Sequence, residues 1–78
     1  MGDLKAGGVV HVGRAASVQF TGPASFDFRI IAVDSRPTYN GWVWLDGYQL
    51  DRRGQAQHRR RIFVCAAGLR PAVIPETA

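Results

Sequence analysis

Residues 41–64 read G-W-V-W-L-D-G-Y-Q-L-D-R-R-G-Q-A-Q-H-R-R-R-I-F-V, and they decide the fold class. Apolar and polar positions alternate with a period of two on both sides of a polar centre, D-R-R-G-Q at 51–55. That is the pattern of two antiparallel strands joined by a tight loop. In 42–50, Trp42 and Trp44 take one face and Val43 and Leu45 the other. Past Asp46-Gly47 the apolar phase shifts to Tyr48 and Leu50, which predicts a β-bulge or sharp bend at Gly47. In the returning strand, 56–64, alternation places Arg59 and Arg61 with Phe63, and Arg60 with Ile62 and Val64.

Working outward, the rest of the chain is also short β-rich runs broken by Gly, Pro, Asn and Asp. Upstream, F-D-F-R-I-I-A-V at 26–33 is the most hydrophobic run and predicts a central strand. A loop, Asp34 to Gly41, follows it; Pro37 keeps Arg36 off helical angles, and Asn40-Gly41 is a strong turn signal. A-S-V-Q-F-T at 16–21 alternates Ala16, Val18 and Phe20 against Ser17, Gln19 and Thr21, as a half-buried strand does. G-V-V-H-V-G at 8–13 predicts another strand, with Val10 and Val12 on one face and Val9 and His11 on the other. Gly22-Pro23-Ala24-Ser25 is loop chemistry. Downstream, Ala66-Ala67-Gly68-Leu69 reads as a helical turn. R-P-A-V-I at 70–74 reads as a last strand, held to a sheet edge by Pro71. No stretch keeps a helical apolar period for ten residues, and there is no internal repeat.

Seventy-eight residues predict one domain, 1–78, with 1–7 and 75–78 as flexible ends. A chain of this size buries roughly 60% of its unfolded surface. At 46% hydrophobic and 21% charged, the composition is that of a globular domain and not of a disordered one. The single cysteine, Cys65, forms no intrachain disulfide, is read as a buried structural thiol, and points to a reducing cytoplasm. The N-terminus lacks the apolar core of a signal peptide, and no apolar run approaches the roughly 20 residues of a membrane helix. Nine of the ten basic residues are Arg, and this bias, with abundant Ala and Gly, resembles coding from a GC-rich genome such as an actinobacterial one.

The order of elements resembles an SH3-like small barrel: five to six short antiparallel strands, a bend in the third, a hairpin between the third and fourth, and a helical turn before the last. The resemblance spans residues 16–74 and implies an all-β barrel. SH3-like barrels commonly hold peptides in aromatic grooves between loops, which implies a possible role as a protein-interaction module. An OB-like barrel is the fold alternative, but it usually needs more residues and a helix between strands three and four.

Chemistry is sparse. Cys65 reads as structural, His58 beside three arginines as an exposed strand residue, and His11 between Val10 and Val12 as a strand-face polar residue, so no catalytic residue is expected and the chain reads as non-enzymatic. No paired-His or acid-cluster spacing suggests a metal, and no phosphate-loop or dinucleotide fingerprint suggests a cofactor. Asp27, Asp34, Asp46 and Asp51 fall at strand ends and turns, where Asp serves backbone hydrogen bonds.

Charge is the remaining signal. Within 51–61, five arginines against Asp51 leave a net +4, equal to the formal charge of the whole chain. A basic hairpin beside aromatics suits a polyanion, nucleic acid above all. Arg52, Arg53, Arg59, Arg60 and Arg61, with Arg36, are the candidates for phosphate, since guanidinium groups bind it bidentately. Tyr39, Trp42, Trp44 and Tyr48 are the candidates for base stacking or for an aromatic groove. The alternative partners are an acidic protein or a second copy of the chain; no membrane partner is expected.

Overall fold

A computed structural model describes residues 4–72 apart from Ser35 and Pro37. The expectations for Pro37, for 73–74 of the last strand and for the tail at 75–78 lie outside the described residues. The protein is all-β: one five-stranded antiparallel sheet, with short 3-10 turns as its helical elements among the described residues. The strands are β1 (Val9–Val12), β2 (Phe26–Val33), β3 (Trp42–Leu50), β4 (Ala56–Cys65) and β5 (Arg70–Pro71), in the spatial order β4-β3-β2-β1-β5. Upstream of β1 the pairing with β2 continues: Gly7 N donates to Ile30 O at 2.7 Å and Ile30 N to Gly8 O at 2.8 Å.

The core lies on one face of this sheet. Val10, Val12, Phe26, Phe28, Ile30, Leu45, Ile62 and Val64 come from the four long strands, and Ala16 and Phe20 join them from the 13–25 connection. Two side chains cannot roof so many, so the sheet must curve until its own inner face encloses them. It does not close. β4 and β5 are its two edges, and β4 is joined across the gap by Cys65 N donating to Ala16 O at 2.8 Å.

The expected strand at 16–21 is not there. Gly13–Ala16 forms a turn, with Ala16 N and Ser17 N both donating to Gly13 O, and Val18–Phe20 is a 3-10 turn. The Thr21 hydroxyl donates to Val18 O at 2.6 Å, closing this turn on itself. Ala16 and Phe20 are buried while Val18 is 77% exposed. The alternation was real, but only its first and last members reach the core. Pro23 opens a second 3-10 turn, Gly22–Ala24, where a missing N–H does no harm.

The bulge expected in β3 at Gly47 is not in that strand: Trp42, Trp44, Asp46 and Tyr48 keep one face straight through it. The extra residue belongs to β2: Ile30 pairs Gly47 and Ala32 pairs Asp46, leaving Ile31 unmatched. A second irregularity in β4 opposes Gln49 and Leu50, which pair His58 and Ala56. Gly47 is required for another reason. A Cβ there would sit 2.1 Å from Arg29 O and 2.7 Å from the Phe28 ring, which crosses β3 at this point.

The 51–55 loop is as expected. Asp51 Oδ1 accepts from Arg53 N at 2.8 Å and Gln55 N at 3.0 Å, and Gly54 supplies the positive φ of 80°. A third 3-10 turn, Ala66–Gly68, precedes β5, which pairs with β1 through His11↔Arg70 and Val10↔Pro71.

Candidate nucleic-acid interface

Register sorts the β3–β4 ribbon into two faces, because residues paired across antiparallel strands point the same way. Val43↔Val64, Leu45↔Ile62 and Gly47↔Arg60 point inward. Trp42↔Cys65, Trp44↔Phe63, Asp46↔Arg61 and Tyr48↔Arg59 point outward. The tryptophans therefore lie outside the core, half-buried, with Phe63 against both. Cys65, expected to be a buried thiol, is likewise half-buried.

Phe63 is the hub of an outer aromatic row. Its ring centroid is 4.9 Å from Trp44, 5.3 Å from Trp42 and 6.4 Å from Tyr39. These separations favour edge or offset contacts. Tyr39 is 77% exposed, carried out on the Asn40-Gly41 turn in which Trp42 N donates to Tyr39 O at 2.9 Å. The Thr38 hydroxyl donates to Trp42 O and anchors the loop from below. Tyr48 stands apart from this row, in register with Arg29 on one side and Arg59 on the other.

The arginines do not form one surface. Arg60 points inward, its guanidinium 4.9 Å above the Phe26 ring and 5.5 Å from Phe20, with Nη1 donating to Gln49 Oε1 at 2.8 Å. It lies over these two rings, on the opposite face of the ribbon from Arg59 and Arg61. Arg59 reaches diagonally to Asp46, with Nε at 3.1 Å from Oδ1 and Nη2 at 2.7 Å from Oδ2. Arg61 lies 5.3 Å over the Trp44 ring and bonds Asp34 Oδ2, which Arg36 also holds through Nη2 at 2.7 Å. Arg52 and Arg53 stand exposed at the hairpin tip with no ion pair among the described residues.

Two of the aspartates read as turn formers are therefore counter-ions. Hydrogen bonds from Arg36, supported by Arg61, hold the Asp34 carboxyl far below the usual carboxylate range. Asp46 is lowered by Arg59, and the Arg36 and Arg59 guanidinium groups are each raised in return. A lowered folded-state value stabilises the fold above the ordinary carboxylate pKa, and this stabilisation fades as pH falls through the folded value. Thermal midpoints should therefore drop as the solution is acidified below about pH 4. Asp34→Asn should flatten that acid limb; an unchanged limb in melting curves between neutral and strongly acid pH would assign the acid response elsewhere.

Sequence reading missed Phe63 as a site residue. The signal was present: alternation already set it beside Arg59 and Arg61, and hairpin pairing then brings it opposite Trp44. His11 pairs with Asp27 at 2.9 Å on the outer face at the far end of the sheet. No group of three His, Cys, Asp or Glu side chains converges among the described residues, and no helix there is long and apolar enough to cross a membrane. An apolar cleft between Leu4, Val9, Ile30 and Leu69 measures about 220 Å³, below the roughly 300 Å³ at which small-molecule sites begin. No protein family, curated protein or solved structure matches this chain.

Proposed function

We propose that this is a non-enzymatic nucleic-acid-binding module on an SH3-like small barrel. The fold resemblance is supported by the strand order β4-β3-β2-β1-β5, the hairpin joining β3 to β4 and the 3-10 turn before β5. The observation that carries the binding role is the outer face of the β3–β4 ribbon. It sets a row of aromatic rings beside Arg36, Arg59 and Arg61, and the ribbon ends in the exposed Arg52 and Arg53. Each paired guanidinium keeps further N–H donors for a phosphate oxygen, since five are available on every Arg and a carboxylate engages two or three. A half-exposed, unpaired thiol fits a reducing cytoplasm.

Binding of this kind releases counterions, so affinity falls steeply with salt. The tip arginines, free of internal carboxylates among the described residues, should contribute most per residue to that slope. Replacing both Arg52 and Arg53 with Ala should lower the slope of log affinity against log salt by about 0.7 for each lost contact to a single strand. Fluorescence anisotropy of labelled DNA and RNA at about 50 and 200 mM salt reads this out. An unchanged slope would take the hairpin tip out of the interface.

One observation favours a second reading. Arg36, Arg59 and Arg61 are already paired with Asp34 and Asp46, so the aromatic row is flanked by ion pairs rather than bare cations. Such a face also suits a protein partner or a second copy. That contact would survive moderate salt and be lost in Trp42→Ala.

A further inference from the structure

We infer that this face selects single-stranded over double-stranded nucleic acid, seating unpaired bases on Tyr39, Trp42 and Phe63 while Arg36, Arg59 and Arg61 hold the adjoining phosphates. The inference rests on the nucleic-acid reading above and names the form of nucleic acid that the site takes.

Three observations carry it. The first is the chemistry of the row. In a duplex the faces of the bases are stacked inside, and only their edges reach the grooves. Aromatic rings on an open sheet have nothing to stack on there, whereas bases of a single strand are free to lie on them. The Tyr39, Trp42 and Phe63 rings form a connected series, with centroids 5.3 and 6.4 Å from Phe63, and Tyr39 is 77% exposed at its rim.

The second is size. A two-stranded ribbon can enter a major groove about 12 Å wide when it stands free. Here β3 is paired along most of its length to β2, and the inner face of the ribbon is the domain core. The body measures 40 × 25 × 24 Å, so the face that bears the rings cannot descend into a groove. The 52–55 tip is the part of the ribbon narrow enough to enter a groove, and it carries no aromatic residue.

The third is the rigidity of the cations. Asp46 grips Arg59 through two nitrogens, and Asp34 anchors both Arg36 and Arg61, the latter lying over Trp44. The guanidinium groups are thereby fixed along one flank of the rings. A backbone running down that flank places its bases toward the aromatic row, which is the geometry of a stacking groove. Guanidinium groups and aromatic rings thus meet on the outer face of the β3–β4 ribbon and the loop beside it.

The test is anisotropy with the full chain, using oligothymidine and oligouridine of about fifteen nucleotides and a blunt duplex of equal length, at about 50 mM salt. The single strands should bind at least about tenfold more tightly than the duplex. Tyr39→Ala removes an exposed ring, so it leaves the fold intact, and Phe63→Leu keeps apolar volume without a ring. Each should weaken single-strand binding about tenfold, leave duplex binding unchanged, and leave the salt slope unchanged, because stacking releases no counterions. Equal affinity for the single strands and the duplex, or full single-strand affinity in both variants, would overturn single-strand selection while sparing the basic hairpin. No binding to any probe at the lower salt would overturn the nucleic-acid reading itself.

Discussion

Phe28→Ala should destabilise the domain by about 3–5 kcal/mol, most of what a chain of this size holds. Phe28 is fully buried in the middle of β2, meets the Phe26 ring edge-on at 6.0 Å, and lies across β3 where only Gly47 leaves room for it. The lost ring leaves a cavity that neighbours from four strands cannot fill without breaking their pairing. Urea unfolding should show the midpoint collapse towards zero denaturant, with the variant largely unfolded at body temperature. A loss below about 1 kcal/mol would mean that the core closes over the gap and that Phe28 is not its centre. Phe63→Leu, half-buried on the outer face, should move the same midpoint much less.

Gly68→Ala should be nearly as damaging although it adds a single methyl group. The new Cβ would lie 1.9 Å from Ala15 O, 2.2 Å from Ala15 C and 2.6 Å from Ala16 N. All three are backbone atoms, so no side chain can swing aside. The Ala66–Gly68 turn would have to lift off the Gly13–Ala16 turn, straining the Cys65–Ala16 hydrogen bond and the delivery of β5 to β1. A cost of about 3 kcal/mol, at the upper end for overpacking, lowers the melting temperature by roughly 15 °C in a domain this small. Gly22→Ala is the matched control. Its φ is +57° but nothing lies within 4 Å of the added carbon, so it should cost only the roughly 1–2 kcal/mol of a left-handed residue. If the two variants melt alike, close approach at Gly68 is not what demands glycine.

What was legible in the sequence was whatever a single strand decides for itself. The alternation in 26–33, 42–50 and 56–64, and the turn chemistry of Asn40-Gly41 and Asp51 to Gln55, depend on neighbours along the chain, and the structure bears them out. The same alternation misled at 16–21. Ala16 and Phe20 both reach the core, but through a turn and a 3-10 segment whose closure by Thr21 on Val18 leaves no mark on the apolar pattern. A bulge was expected in β3 at Gly47, but the alternation there runs on unbroken and the extra residue opposite it is Ile31 on β2, because register belongs to a pair of strands and not to either one.

The site divides the same way. Separation of Arg60 from Arg59 and Arg61 followed from alternation. The carboxylates that hold the outer arginines did not, since the diagonal from Arg59 to Asp46 and the bridge from Arg61 to Asp34 span 13 and 27 residues of sequence. Charge counted along the chain therefore overstated the bare cation on the hairpin, and three of the five arginines turned out to have internal partners.

β4 carries ten residues along one border of the sheet, and its outer backbone meets no other strand among the described residues except where Cys65 reaches Ala16. Its last four, Ile62 to Cys65, are apolar, and an apolar edge is a template for pairing with another chain. The run His58-Arg59-Arg60-Arg61 immediately before them makes in-register stacking of identical chains a stack of like charges. Like charge on this border thus opposes pairing between copies, and any variant that neutralises the arginines should make the border more adhesive.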